Sequence, residues 1–467
     1  MLFSLQCIKA TVMLLVKLAI TTFVADTFLY TAVRSYPEID FHFRGYVAFV
    51  FLYVLLFIAF VSTYRAFRFG ISRYREIMFS YILSVFLTDF FTYFVLSLIA
   101  REMLSPLALA LCAIVQIAGG FLLNKAGDSL YFRVHPVRDC ILILSAGGKE
   151  RNAFSGFEAI RDRYRILETV DESMGEEELF GRIRPYPVVI AGRLERGFRD
   201  RLTERCFADG KRLFCLAEVS DVISHSSQEA FIGDSLLYLC KNRVMTEEQR
   251  IVKRAADIVA SALGILLTSP VMLVTALLIK AWDGGPVLFR QERYTQSFST
   301  FIMLKFRSMI PDAEKDGARF TVPDDERITP VGRFIRKTRI DELPQLFNIL
   351  RGDMSLVGPR AERVENVRMY CGLMPEFRYR MKVKAGLTGY AQIYGRYNTS
   401  YEDKLRMDLF YIENYSVLRD LQLLFTTLKV LFMEESTEGF REGDPEQFLR
   451  EGEERGGNGA GKEGDGT

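Results

Sequence analysis

Histidine is scarce in this chain and stops early. The three residues are His42, His135 and His225. Everything after residue 225 must therefore work without a Ser-His-Asp triad, a Cys-His pair or a histidine metal site. If that half is catalytic, its reactive groups are carboxylates, Lys, Tyr, Ser or Cys371. The seven cysteines (Cys7, Cys112, Cys140, Cys206, Cys215, Cys240, Cys371) include no C-x-x-C pair. That scatter argues against a zinc or disulfide framework and fits reduced thiols facing a cytosol. Excess charge is missing too. The formal net charge is only +2, so nothing global points to a nucleic-acid partner.

What the chain has is apolar length. Ile8–Tyr30, Tyr46–Thr63, Met78–Ile99 and Pro106–Leu123 are each near the ~20 residues of a membrane-crossing helix, so residues 1–125 predict four transmembrane helices. The first is too long for a simple signal peptide and lacks its cleavage site. Arg65, Arg68, Arg73 and Arg75 load the second loop, which the positive-inside rule puts in the cytoplasm with the N-terminus and everything after Lys125. Lys17, Asp26 and Asp89 fall inside spans, where they either line a conduit or pair helices and snorkel.

Residues 137–243 alternate short β-rich runs ("DCILILSA", "YRILETV", "PVVIAG", "RLFCLAEV", "SLLYLCK") with helical segments, the rhythm of a Rossmann-like βαβ domain. A dinucleotide fingerprint needs G-x-G-x-x-G after the first strand. Only Gly147 and Gly148 stand there, so a structural or regulatory domain, one that could support a homodimer, is expected over a nucleotide sensor. A fifth long apolar run follows, residues 254–281, interrupted by Ser269-Pro270, with Lys253, Arg254 and Asp257 at its start. Proline removes one helical hydrogen bond, and Ser269 can bond back to the helix. Hydropathy alone favours a kinked fifth span over a helix that dips in and returns. The soluble, charge-dense region continues to about residue 432, and residues 433–467 predict a disordered acidic, Gly-rich tail.

The chemistry concentrates in "RKTRIDELPQLFNILRGDMSLVGPR", Arg336 to Arg360. "TPVGRFIRKT" predicts a helix capped by Thr329 with Pro330 at its first position. "DELPQLFNILRG" predicts another, with Asp341 as N-cap and Leu343, Leu346, Phe347 and Leu350 as its buried stripe. Asp341 and Glu342 stand among Lys305, Arg307, Arg333, Arg336, Lys337, Arg339, Arg360 and Arg363. A carboxylate pair among cations suits a divalent metal with a diphosphate. It also suits an ordinary helix cap on a basic face of a membrane-bound protein.

Read in order, "KRAADIVASALGILLTSPVMLV", "GPVLFRQERYT", "FIMLKFRSM", "ITPVGRFIRKTRIDELPQLFNILRGDMSLVGPR", "KAGLTGYAQIYGR" and "MDLFYIENYS" resemble the bacterial sugar transferases over residues 250–432. These are the polyprenyl-phosphate sugar-1-phosphate transferases, or monotopic phosphoglycosyl transferases. The N-terminal parts resemble those of the family's large members.

The resemblance implies the fold class: a membrane α-helical bundle, an α/β Rossmann-like middle domain, and an α-rich monotopic catalytic domain with a re-entrant membrane helix. It implies transfer of a sugar-1-phosphate from a UDP-sugar to polyprenyl (undecaprenyl) phosphate, with release of UMP, at the cytoplasmic face of a bacterial inner membrane. Such a step initiates exopolysaccharide, capsule or O-antigen-type glycans. Carried onto this chain, Asp341 is the nucleophile and Asp341 with Glu342 holds Mg²⁺. Lys305, Arg307 and Arg360 bind phosphate. Asp408, with Tyr411 and Asn414, makes nucleotide or interfacial contacts unless these residues only pack and cap helices. Ser269-Pro270 becomes the re-entrant break, with Lys253, Arg254 and Asp257 at its interfacial start. Ala361 after "GPR" and Ala385 before Gly386 depart from the common family pattern without removing a charge. The alternative is a catalytically silent membrane scaffold or regulator of polysaccharide assembly.

Overall fold

Apolar length is realised as helix. The computed structural model describes residues 2–36, 39, 43–70, 72, 74–145, 163–240, 245–311, 313, 325–395 and 399–431. Gly147, Gly148 and the expected tail at 433–467 lie outside them. The chain divides into two compact units, Met1–Leu216 and Ala217–Thr467.

In the first unit, α1 (Leu2–Ser35), α2 (Phe43–Tyr64), α3 (Tyr74–Ala100) and α4 (Leu107–Val134) contain the four expected apolar runs. Each is long and apolar enough to cross a membrane. Their shared interior holds aromatic side chains such as Phe28, Tyr53, Phe57 and Tyr81. Some of the buried polar groups pair across helices, while Asp89 Oδ2 and Gln116 Oε1 have no hydrogen-bond partner. The Tyr53 hydroxyl donates to Asp89 Oδ1 at 2.8 Å, and Gln116 Nε2 donates to the Tyr53 oxygen at 3.0 Å and to the Val24 carbonyl at 3.0 Å. Asp89 thus pairs helices. Lys17 is half-buried and Asp26 lies exposed on the outer face.

A four-stranded, all-parallel sheet follows, in the order β2-β1-β3-β4. Its strands are β1 (Arg138–Leu144), β2 (Tyr164–Asp171), β3 (Val188–Ala191) and β4 (Arg212–Cys215). The run "CILIL" is buried throughout and so is β3, as expected of inner strands covered on both faces. Helices α5 (Glu176–Ile183) and α6 (Arg196–Ala208) connect β2 to β3 and β3 to β4. One expected strand does not join this sheet. Ser235–Leu239 (β6) pairs antiparallel with Gln228–Ile232 (β5) in a separate hairpin after α7 (Val219–His225). Only Gly233-Asp234 separates the two, with Gly233 at φ +61°, so a tight hairpin forms where a crossover would need a dozen residues or more.

The second unit continues with α8 (Glu247–Asp283), one helix of 37 residues running through Pro270 without interruption. A Thr246 side chain caps its start and left-handed Gly284 ends it. Pro270 offers no N–H to the Leu266 carbonyl, and the Ser269 hydroxyl donates to that carbonyl instead, at 2.8 Å. Then come the hairpin β7 (Leu288–Tyr294) and β8 (Thr300–Phe306), α9 (Pro330–Lys337), a 3₁₀ turn (Ile340–Glu342) and α10 (Gln345–Arg351). β9 (Ser355–Val357) and β10 (Gly386–Thr388) pair in parallel, with α11 (Val364–Leu373) and a 3₁₀ segment (Pro375–Lys382) between them. Helices α12 (Tyr390–Tyr394), α13 (Tyr401–Glu413) and α14 (Val417–Leu431) complete the unit.

Candidate active site

Three backbone features bring the acids to the bases. The first is alternation on β8: Phe301 and Met303 are buried, and Lys305 follows on the same face two residues later. The second is α9, whose Thr329 cap and Pro330 first position form as the sequence predicts. The third is the turn after it. Arg339 sits at φ +57°, a left-handed position where glycine is usual, and reverses the chain just before Asp341.

That turn corrects the expected helix. Asp341 is not an N-cap; it lies inside the 3₁₀ turn, and Pro344 stands at the cap position of a seven-residue α10. The later start rotates the buried stripe. Leu346 and Ile349 go inward with Gln345 and Asn348, while Phe347 and Leu350 are 42% and 37% exposed. Asn348 spends its amide on the neighbouring strand. Its Oδ1 accepts from the Leu304 N–H at 3.0 Å, and its Nδ2 donates to the Ile302 carbonyl at 2.8 Å.

Asp341 is buried, and its Oδ1 has no hydrogen-bond partner. Burial pushes its carboxyl above the usual carboxylate range, the Glu342 charge adds to this, and Lys305, Arg336 and Arg339 oppose it. Glu342 goes the other way. Burial would raise it, but Lys305 and Arg360 hold it well below the usual range. Lys305 Nζ donates to Glu342 Oε1 at 2.9 Å, and Arg360 Nη2 lies 3.8 Å from the same oxygen. Adjacent carboxyls with opposed shifts suit distinct roles. Lys305, Glu342 and Arg360 line a small open cleft, joined by Arg293, Gln345 and Gly386. No three His, Cys, Asp or Glu side chains converge among the described residues. A metal here would draw on Asp341 and Glu342 and take its other donors from substrate oxygens or water.

The remaining expected residues sit elsewhere. Arg307 is 7% exposed and fully engaged: Nε donates to the Pro286 carbonyl at 2.7 Å, and both terminal nitrogens bind Asp283 at the end of α8. It clamps the exit of that helix and does not line the cleft. Asp408 is buried against Arg380 at 2.7 Å, also away from the cleft. Lys253, Arg254 and Asp257 all tie the first turns of α8 to the rest of the unit. Lys253 Nζ meets Asp420 at 2.5 Å and the Tyr411 hydroxyl at 3.1 Å. Arg254 donates to the Ile349 and Leu350 carbonyls at 2.7 and 2.8 Å, closing the C-terminal end of α10. Asp257 Oδ1 accepts from Ser355 Oγ at 3.1 Å and the Leu356 N–H at 3.0 Å. Sequence reasoning missed Arg380 and the bridging amide of Asn348. Only the basic run "FRYRMK", with no acid of its own, and a lone Asn in an apolar run hinted at them.

Residues 248–434 match the family model described as bacterial sugar transferase. The chain is 43% identical over 183 residues to the UDP-N-acetylgalactosamine-undecaprenyl-phosphate N-acetylgalactosaminephosphotransferase of Aeromonas hydrophila, covering 38% of this chain and 43% of that protein. It is 41% identical over 191 residues to the UDP-glucose:undecaprenyl-phosphate glucose-1-phosphate transferase of Klebsiella pneumoniae, covering 40% of this chain and 41% of that one. The exopolysaccharide production protein PSS of Rhizobium leguminosarum bv. phaseoli is 40% identical over 187 residues, which are 38% of this chain and 94% of that protein. The match thus spans less than half the length of the first two relatives and nearly all of the third.

Proposed function

The chain belongs to the bacterial sugar transferase family, and on that premise we propose that it moves a sugar-1-phosphate from a UDP-sugar to undecaprenyl phosphate. One observation carries the reading. Asp341 is a buried carboxylate with an unpartnered oxygen, beside a Glu342 held by Lys305 and Arg360.

In the first half-reaction an Asp341 oxygen attacks the phosphorus that bears the sugar. The bond from that phosphorus to the bridging oxygen breaks, and UMP leaves with the electron pair. The product is an aspartyl phosphosugar. In the second, a phosphate oxygen of the lipid attacks the same phosphorus, the aspartyl O–P bond breaks, and Asp341 is restored as polyprenyl diphosphate-sugar departs. Two easier displacements replace one, and neither requires histidine. Lys305 and Arg360 offset charge on the phosphate oxygens. The unpartnered Asp341 oxygen and the hard-oxygen character of the pair fit Mg²⁺, held by Asp341 and Glu342. When bound, Mg²⁺ supplies charge neutralisation on the diphosphate.

The substrates also argue for placement. A cytosolic nucleotide sugar and a lipid headgroup meet only at the cytoplasmic face of the inner membrane, so on this reading both ends of α8 lie on that face and the membrane-embedded helix would turn at Ser269-Pro270. Its closely tied first turns and clamped end support this. The parallel sheet of the first unit supports a Rossmann-like reading of the middle region. A relative named for exopolysaccharide production supports a place at the start of glycan assembly.

The test is UMP release from a panel of UDP-sugars, with Mg²⁺ and undecaprenyl phosphate, for wild type and Asp341→Asn. Relatives of similar identity are named for different sugars, so the panel includes N-acetylgalactosamine and glucose. Sugar-dependent release by wild type and loss of at least about 10³-fold in the variant is expected. Turnover surviving in Asp341→Asn would sink the covalent mechanism. Silence from folded wild type would favour a scaffold.

A further inference from the structure

Behind the cleft lies a buried cluster of charge that this chemistry does not use. Arg380 and Asp408 are each 1% exposed. Arg380 Nη2 lies 2.7 Å from Asp408 Oδ2, and Nη1 lies 3.9 Å from Glu362 Oε1. Burial lowers the nearby Lys404 ammonium, while Glu362 and Asp408 raise it. Such clusters are poor devices for stability, since apolar residues of similar volume often do as well or better. What apolar residues cannot supply is a directed N–H.

Arg380 Nη2 donates one, at 2.9 Å, to the carbonyl of Arg360. The flanking carbonyls are held as well. Pro359 O accepts from the Gly386 N–H at 2.8 Å, and Ala361 O accepts from Arg293 Nη1 at 2.9 Å. Three consecutive carbonyls are therefore fixed by three separate segments, with Arg360 at the centre. Its side chain is 47% exposed and leans toward Glu342 across the cleft. Where that side chain starts from is set by this fixed backbone.

We propose that Arg380, oriented by Asp408 and Glu362, is a positioning residue that fixes the Arg360 backbone so that its guanidinium meets a phosphate group of a diphosphate in the cleft. This rests on the phosphate-transfer reading only in requiring that the cleft take a diphosphate.

The experiment measures calorimetric binding of UDP and of inorganic pyrophosphate to the full chain in lipid nanodiscs. The variants are Arg360→Met, Arg380→Met, Arg380→Met/Asp408→Leu and each combined with Arg360→Met. The paired replacement removes both buried charges together, so it stays folded where Arg380→Met alone strands Asp408, and thermal melting reports this. Arg360→Met should weaken both probes about tenfold or more. Arg380→Met/Asp408→Leu should weaken them several-fold, and adding it to Arg360→Met should cost nothing further. Losses that multiply independently would assign Arg380 to folding alone and overturn the proposal, even if UMP release proceeds. Wild-type affinity in a folded Arg380→Met/Asp408→Leu protein would overturn it too. Coupled losses of pyrophosphate binding in a chain that releases no UMP would keep the positioning role and remove the transfer reading. A wild type that binds neither probe would end both.

Discussion

Asn348 gives the sharpest test of how the site is held. Its side chain is wholly buried, and its amide serves the outer edge of β8 as a backbone peptide would, accepting from the Leu304 N–H and donating to the Ile302 carbonyl. Nδ2 also reaches Asp353 Oδ2 at 3.0 Å. Asn348→Leu keeps the volume and removes all three bonds. It leaves an N–H and a C=O of the strand unpaired at a partly buried position, each costing about 1–3 kcal/mol. The expected loss is about 4 kcal/mol, which for a unit of this size lowers the melting temperature by roughly 10 °C. The damage should also be local, because Lys305 is the next residue along that strand. Hydrogen exchange of Thr300–Phe306 should accelerate, and UMP release should fall more than the folded fraction does. If Asn348→Leu melts with the wild type and that strand keeps its protection, the amide is not what joins β8 to α10.

Two further outcomes follow from the same geometry. Burial pushes the Asp408 carboxyl up to about 6, with Arg380 opposing and Glu362 reinforcing. A raised carboxyl contributes stability in full below its unfolded value, and loses that contribution as pH rises through the folded one. Asp408→Asn cannot titrate, so from about pH 4 to 6 it should gain on wild type by on the order of 3 kcal/mol, then hold that margin; parallel stability curves would refute this. For α8, Ile251→Cys and Trp282→Cys in a cysteine-free background should both react with a membrane-impermeant reagent from the cytoplasmic side, whereas labelling from opposite sides would establish a span.

Legibility in the sequence followed the kind of force at work. Apolar length announced α1 to α4, and continuous apolar runs announced β1 and β3, because burial alone decides those elements. The Thr329 cap was legible because capping is local. Asp341, Glu342, Lys305 and Arg360 were found together through order and resemblance, and the fold brings the last three to one cleft. The start of α10 was not legible. A left-handed Arg339 followed by a 3₁₀ turn has no signature of its own, and the usual glycine is absent. Phe347 and Leu350 were expected inside because periodicity in a water-facing protein equates apolar with buried. Arg307 and Asp408 misled for a related reason. A charge written beside a site can be consumed by a partner far along the chain, as Asp283 and Arg380 do here.

The ties on α8 also set a timetable for making the protein. Arg254 and Asp257 bond to groups 95 to 99 residues later in the chain, and Lys253 to Tyr411 and Asp420, 158 and 167 residues later. A ribosome adding about 5–20 residues per second needs roughly ten to thirty seconds to deliver the last of these partners. Throughout that interval the helix lacks these ties, and its outermost side chains, Leu266, Leu267, Leu273 and Leu277, stay exposed even in the folded chain. The nascent helix must therefore be lodged in lipid first, with Lys253, Arg254 and Asp257 waiting at its start for the domain that will close on them.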